Sequence, residues 1–253
     1  MTAAAKISGK KRQLDALKRR VRPGALEGLE HSQRIDITYT SNAIEGNTLT
    51  AGETALVLEK GITISGKPLK DHLEAIDHAR ALSWVLEIAS KDDHPIMEAD
   101  IRNLHHLVVA NSKPEIAGQY ADSARYVNTN VGVALMEVFC RWLSAAPSTP
   151  RTAFEAHRRF VAIHPFNDGD GRTARLLMNL VLARGGYPPV AIRPEDRPDY
   201  IAALEIDQSG GGHIAFDKLL FERLDQTLDI YLDAARQAQD RSAEAGKVIP
   251  IRS

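Results

Sequence analysis

The chain has 253 residues, 26% of them charged, yet 32 Lys+Arg against 33 Asp+Glu leave a formal net charge of only −1. That balance argues against nucleic acid or an anionic membrane as the main partner, and no apolar run approaches the roughly 20 residues of a membrane span. The single cysteine, Cys140, excludes an internal disulfide framework and a cysteine-based zinc site, and the length suits one substantial core with a modest appendage.

Residues 1–24 are basic but lack the apolar stretch of a signal peptide, so they read as an N-terminal extension of a cytoplasmic protein. An amphipathic stretch opens near Ala25. Ile37, Ser41 and Ile44 follow helical spacing, Gly46 is a left-handed stop, and the segment closes near Asn47. Thr50 and Glu53 form a capping box for the next helix. His105 and His106 fall on a further helix, but adjacent residues face different ways and no acidic partner stands at the right spacing, so a metal pair is not expected. Gly118 to Val133 is the one stretch with a hairpin pattern. Its strand formers Tyr126, Val127 and Val131 predict a short β-hairpin, with a surface loop as the alternative.

Val133, Met136, Cys140 and Leu143 form a helical stripe that makes Cys140 inert core. Phe154, His157 and Phe160 give the next helix its buried face, with His157 an interface histidine rather than a ligand. Leu176, Leu177, Leu180 and Val181 carry another helix, which stops at Gly185-Gly186 with Pro188-Pro189 beyond. A last long helix is predicted over 214–235, and 236–253 read as a polar tail. The spacing is helical almost everywhere, which predicts an all-α domain over residues 25–235.

The most informative stretch runs from His164 to Arg175: His-Pro-Phe-Asn-Asp-Gly-Asp-Gly-Arg-Thr-Ala-Arg. A Gly-rich turn feeding a helix N-terminus presents unpaired N–H groups and a positive dipole end, which suits an anion. Arg172 and Arg175 share one face of the first helical turn, and guanidinium forks match phosphate oxygens. Asp168 and Asp170 are hard oxygen ligands of the kind that hold a magnesium ion carrying phosphates. A neutral imidazole at His164 can accept a proton from an attacking hydroxyl. Any one of these residues would suit a charged helix cap; together they point to phosphate chemistry. There is no P-loop, and an EF-hand fails because its first ligand would be Phe166.

This stretch resembles the signature of the Fic (Fido) family, His-Pro-Phe-x-Asp/Glu-Gly-Asn-Gly-Arg-x-x-Arg, over a region covering about residues 25–235. The resemblance implies a Fic-type helical bundle with a short β-hairpin flap beside the active site, and transfer of AMP from ATP to a Ser, Thr or Tyr hydroxyl of a target protein. It makes His164 the general base, Asp168 the Mg2+ ligand, and Asn167, Gly169, Asp170 and Gly171 part of the phosphate cradle. Arg172 would contact the β-phosphate side and Arg175 the γ-phosphate, while Phe166 anchors the loop. Ser41, Glu45 and Gly46 resemble the family's inhibitory motif Ser/Thr-x-x-x-Glu-Gly/Asn. Glu45 would then pair with a mostly buried Arg175, a contact whose loss costs roughly 3–5 kcal/mol. Gly118, Tyr126 and Val127 would belong to the target-binding flap, Tyr200 would line the adenine pocket with Gln208 near it, and regulation through a homodimer is a family habit.

One position departs from the family pattern: Asp170 stands where Asn is usual. An ionised carboxylate accepts but cannot donate to the α-phosphate. At about 4 Å it repels a phosphate charge by roughly 4 kcal/mol at an effective dielectric of about 20. Asp170 therefore keeps other readings open: metal binding beside Asp168, removal of AMP, another nucleotide donor, or a non-catalytic nucleotide- or partner-binding regulator.

Overall fold

The computed structural model describes residues 2–91, 95–121 and 129–245. Among them the chain forms α1 (Ala3–Lys18), α2 (Glu27–Ile44), α3 (Ala51–Lys60), α4 (Leu69–Ala89), α5 (Glu98–Val109), α6 (Thr129–Ala145), α7 (Pro150–Ile163), α8 (Asp170–Arg184), α9 (Arg197–Gln208) and α10 (Ile214–Ala245). The expected boundaries follow local chemistry. Thr50 and Glu53 close their capping box at α3. At α7, Thr149 caps the helix through its side chain and Pro150 takes the first position, where its missing N–H costs nothing. Gly46, at φ 91°, follows the end of α2 as the predicted left-handed stop.

Helices α7 and α8 form an antiparallel pair at the centre, flanked by α4 and α5, with α2 laid across α4 and α8. Phe154, Phe160, Phe166, Leu176, Leu177 and Met178 are fully buried there. The loop from His164 to Gly169 thus joins two helices whose inner faces are packed, which fixes both of its ends.

Two expectations change. The segment read as an N-terminal extension folds as α1 along α10 and contributes Ile7 and Leu14 to the core. The last helix does not stop at Ala235 but runs to Ala245 and buries Ala238, so the tail begins later than 236. Of the hairpin expected between Gly118 and Val133, residues 122–128 lie outside the described residues, and before them Tyr120 makes an antiparallel bridge with Phe166. Tyr126 and Val127 lie outside the described residues. From Thr129 onward the stretch is helix, because burying Met136, Phe139 and Leu143 on one face outweighs the strand propensity of its valines. Cys140 is half-buried beside that stripe, and burial, with Glu98 adding to it, pushes its thiol up to about 12. It is inert at neutral pH.

Candidate active site

Helix α7 delivers His164 by turning sharply at its end. His164 sits at φ 51°, the one non-glycine residue with positive φ among those described, and its N–H reaches the Phe160 carbonyl at 3.0 Å. A side-chain-bearing residue in this region costs on the order of 1 kcal/mol, and Pro165 cannot prolong the helix. Phe166 then plunges into the core, its ring stacked on His105 with centroids 3.6 Å apart. Gly169, at φ 84°, starts α8.

The loop opens on a cavity of about 400 Å³ lined by Glu45, Lys113, His164, Asn167, Asp168, Gly169, Asp170 and Gly171. Six of the residues expected from the His164–Arg175 stretch are therefore together on one wall. Arg172 and Arg175 lie beneath them, 3% and 4% exposed. Arg172 reaches Glu74 at 3.4 Å and Asp168 at 3.8 Å, but its Nε and Nη1 make no hydrogen bond among the described residues. Those buried N–H groups are available to an anion.

Arg175 is instead fully engaged by α2. Its Nε donates to Ser41 Oγ at 2.9 Å, and Nη2 donates to the Ser41 carbonyl at 2.9 Å and to Glu45 Oε1 at 2.8 Å. Burial alone would push the Glu45 carboxyl up, but the Arg175 guanidinium, by charge and hydrogen bond, holds it below the usual carboxylate range. Glu45 is not deeply sequestered, with 40% of its side chain exposed, so the pair is weaker than the buried one expected from sequence. The carboxylate lies so close over Gly171 that a Cβ there would collide with Oε1. Gly46, next in the chain, ends the helix that presents Ser41 and Glu45.

Asp170 lies against His164. Its Oδ1 accepts from the Phe166 N–H at 3.1 Å and its Oδ2 lies 3.3 Å from His164 Nε2. Asp168 is held by the Gly169 N–H at 2.6 Å and by an ion pair with Lys113. No cluster of three or more His, Cys, Asp or Glu side chains suited to a metal occurs among the described residues.

Tyr200 is 2% exposed and does not line the cavity. Its hydroxyl lies 2.9 Å from His157 Nε2 and also meets Arg175, so it props the arginine from below. Gln208 is exposed at the end of α9. Tyr200 thus sits behind the cavity wall, not on it.

Sequence reasoning missed His105 and Lys113. His105 is fully buried; Nδ1 accepts from the Gly118 N–H at 3.0 Å and Nε2 lies 2.9 Å from the Asp168 carbonyl, so the ring clamps the loop after α5 to the catalytic loop. Its position between the buried Ile101, Leu104 and Val108 was the available signal. Gly118, at φ 69°, would bring a Cβ to 3.1 Å from the Arg102 carbonyl, tighter than ordinary contact. Lys113 had no signal: nothing in its neighbourhood points to a residue 55 positions away.

A helical fold carrying a histidine and a Gly-rich helix start on one cavity, with two buried arginines beneath it, defines a class, and the comparisons agree. The Fic/DOC family pattern matches residues 95–182, and the chain belongs to that family. A Fic-1 fragment from Caenorhabditis elegans superposes with a TM-score of 0.82 at 30% identity, covering 91% of this chain and 72% of that one. A Fic domain containing signaling protein from Bacteroides thetaiotaomicron gives 0.83 at 29% identity, over 92% and 97%. Protein adenylyltransferase fic-1 from Caenorhabditis briggsae is 38% identical over 68% of this chain and 36% of its own length. Protein adenylyltransferase Fic from Nematostella vectensis is 36% identical over 77% and 48%. The chain thus spans between about a third and a half of these curated relatives.

Proposed function

We propose that this chain is a protein adenylyltransferase that moves AMP from ATP to a hydroxyl side chain of a target protein and is restrained by its own Glu45. The carrying observation is the buried, half-paired Arg172 beneath the N-terminus of α8, by the cavity that a partly exposed His164 lines. Adenylyltransferase names on relatives sharing 36–38% identity support the same reading.

In this reading His164 takes the proton from the target hydroxyl as its oxygen attacks the α-phosphorus, and pyrophosphate leaves toward Arg172 and Arg175. Gly169 and Gly171 let the chain approach the phosphates closely, with Asn167 on the rim. Asp168 would hold Mg2+. The site suits it: one carboxylate, already drawing a cation in Lys113, matches an ion that keeps several waters and binds chiefly through phosphates. When bound, magnesium neutralises phosphate charge. Gly118, fixed by His105, would start the flap that carries Tyr126 and Val127 and pairs with the target backbone. With Glu45 on Arg175, the γ-phosphate has no place.

Asp170 against His164 favours a second reading, removal of AMP or use of another nucleotide, since it changes the polarity beside the base. The test is Glu45→Gly incubated with magnesium and labelled ATP, GTP, CTP or UTP, with a His164→Ala control. Protein labelled from ATP and lost with His164→Ala supports adenylyl transfer. Labelling from another nucleotide selects that branch of the second reading, and binding without labelling rejects transfer.

A further inference from the structure

Three carboxylates, Glu45, Asp168 and Asp170, line the cavity, while the two arginines lie beneath it. A triphosphate entering that space needs positive charge at the surface of the cavity. Lys113 lines the wall with its side chain 34% exposed, and its ammonium rests on Asp168. The loop that presents it is unusually well held. Fully buried Asp77 on α4 accepts from the Asn111 N–H at 3.0 and 3.1 Å, from Asn111 Nδ2 at 2.6 Å and from the Ser112 N–H at 2.9 Å. The Lys113 N–H continues the anchoring to the Val109 carbonyl at 2.8 Å. A buried carboxylate committed to a two-residue turn pre-organises whatever follows that turn.

We propose that Lys113 is a phosphate-binding residue of this site, resting on Asp168 as a built-in counter-charge until a metal ion takes that carboxylate, and then turning to the nucleotide's phosphates. The inference rests on the nucleotide reading above. It also bears on Asp170, since the ammonium offsets part of the negative charge that the three carboxylates give the cavity. A lysine is suited to this exchange, because it acts as a point charge on a flexible stem and moves between partners without a fixed fork geometry.

The experiment uses the full chain carrying Glu45→Gly, alone and combined with Lys113→Gln or Lys113→Arg. Calorimetric ATP affinity is measured with magnesium, and thermal stabilisation is followed against magnesium alone. Lys113→Gln should weaken Mg·ATP binding about tenfold, the order of one charge-assisted contact. The same variant should respond to magnesium at lower concentration, because the ion no longer displaces an ammonium, and Lys113→Arg should recover most of the ATP affinity. Unchanged ATP affinity in Lys113→Gln, in a protein that does bind ATP, overturns the role of Lys113 and leaves the nucleotide reading standing. Failure of the Glu45→Gly protein itself to bind any nucleotide overturns both.

Discussion

Arg175 and Glu45, 130 positions apart in the chain, meet at 2.8 Å across the first turn of α8. The same arginine donates to the Ser41 side chain and carbonyl, so one turn of α2 covers it. A latch of this form competes with an incoming phosphate for a single guanidinium.

Its strength sets the first prediction. Glu45 is 40% exposed, so the pair falls between a surface ion pair and a buried one, and a net 1.5–3 kcal/mol is a rough range after solvent screening. Glu45→Gly should therefore tighten ATP binding by roughly ten- to a hundredfold, and Glu45→Gln by less, since it keeps a hydrogen bond without the charge. Calorimetric titration of the three proteins checks this. Equal affinities would remove Glu45 from any inhibitory role.

Gly171 offers an independent handle on the same space. A methyl group there enters the volume now held by Glu45 Oε1. Gly171→Ala should abolish detectable nucleotide binding even when combined with Glu45→Gly, while circular dichroism remains that of the parent. Normal binding by the double variant would mean that phosphates do not approach the start of α8.

Asp170→Asn changes polarity with little change in shape. The Asn oxygen can keep the Phe166 N–H, and its amide can then donate toward His164 or a phosphate. ATP affinity in the Glu45→Gly background should rise at least tenfold, as a repulsion of a few kcal/mol at short range is removed. A drop in affinity would indicate that the carboxylate serves the native ligand and not merely tolerates it.

Acid should destabilise the fold early. Burial, followed by the charge of Arg175, pushes His78 down to about 3, and burial pushes His105 to about 4. His157 is held well below its ordinary value, again by burial first. These rings stay neutral in the folded chain but bind protons near pH 6.5 once unfolded. Stability is therefore complete above that pH and falls as pH drops toward 4, by up to about 4 kcal/mol per pH unit for three rings. Urea unfolding at pH 7.5, 6 and 5 measures it. A flat profile would show that the rings are protonated in the folded state.

Much of this protein was readable before any helix was placed. The chemistry from His164 to Arg175 is contiguous, so base, glycines and arginines could be recognised from composition and spacing. The capping box at Thr50 and the stop at Gly46 follow from local backbone preferences, and the paired stripes of α7 and α8 follow from helical periodicity. Periodicity states that a face is buried, but not what it is buried against. For that reason α1 was read as an appendage when it completes the core through Ile7 and Leu14, and Tyr200 was expected at an open pocket when it supports Arg175 from within.

The resemblance pointed Glu45 toward Arg175, but only the packing of α2 across α8 showed that the carboxylate reaches it while remaining partly open to solvent. The partner of Asp170, the clamp of His105 and the ammonium on Asp168 were likewise decided by helices meeting in space. Sequence alone determined which chemical groups the active loop carries, because those groups are neighbours along the chain. Tertiary structure decided which charges face one another, because electrostatic contacts depend on distances that residue order does not contain.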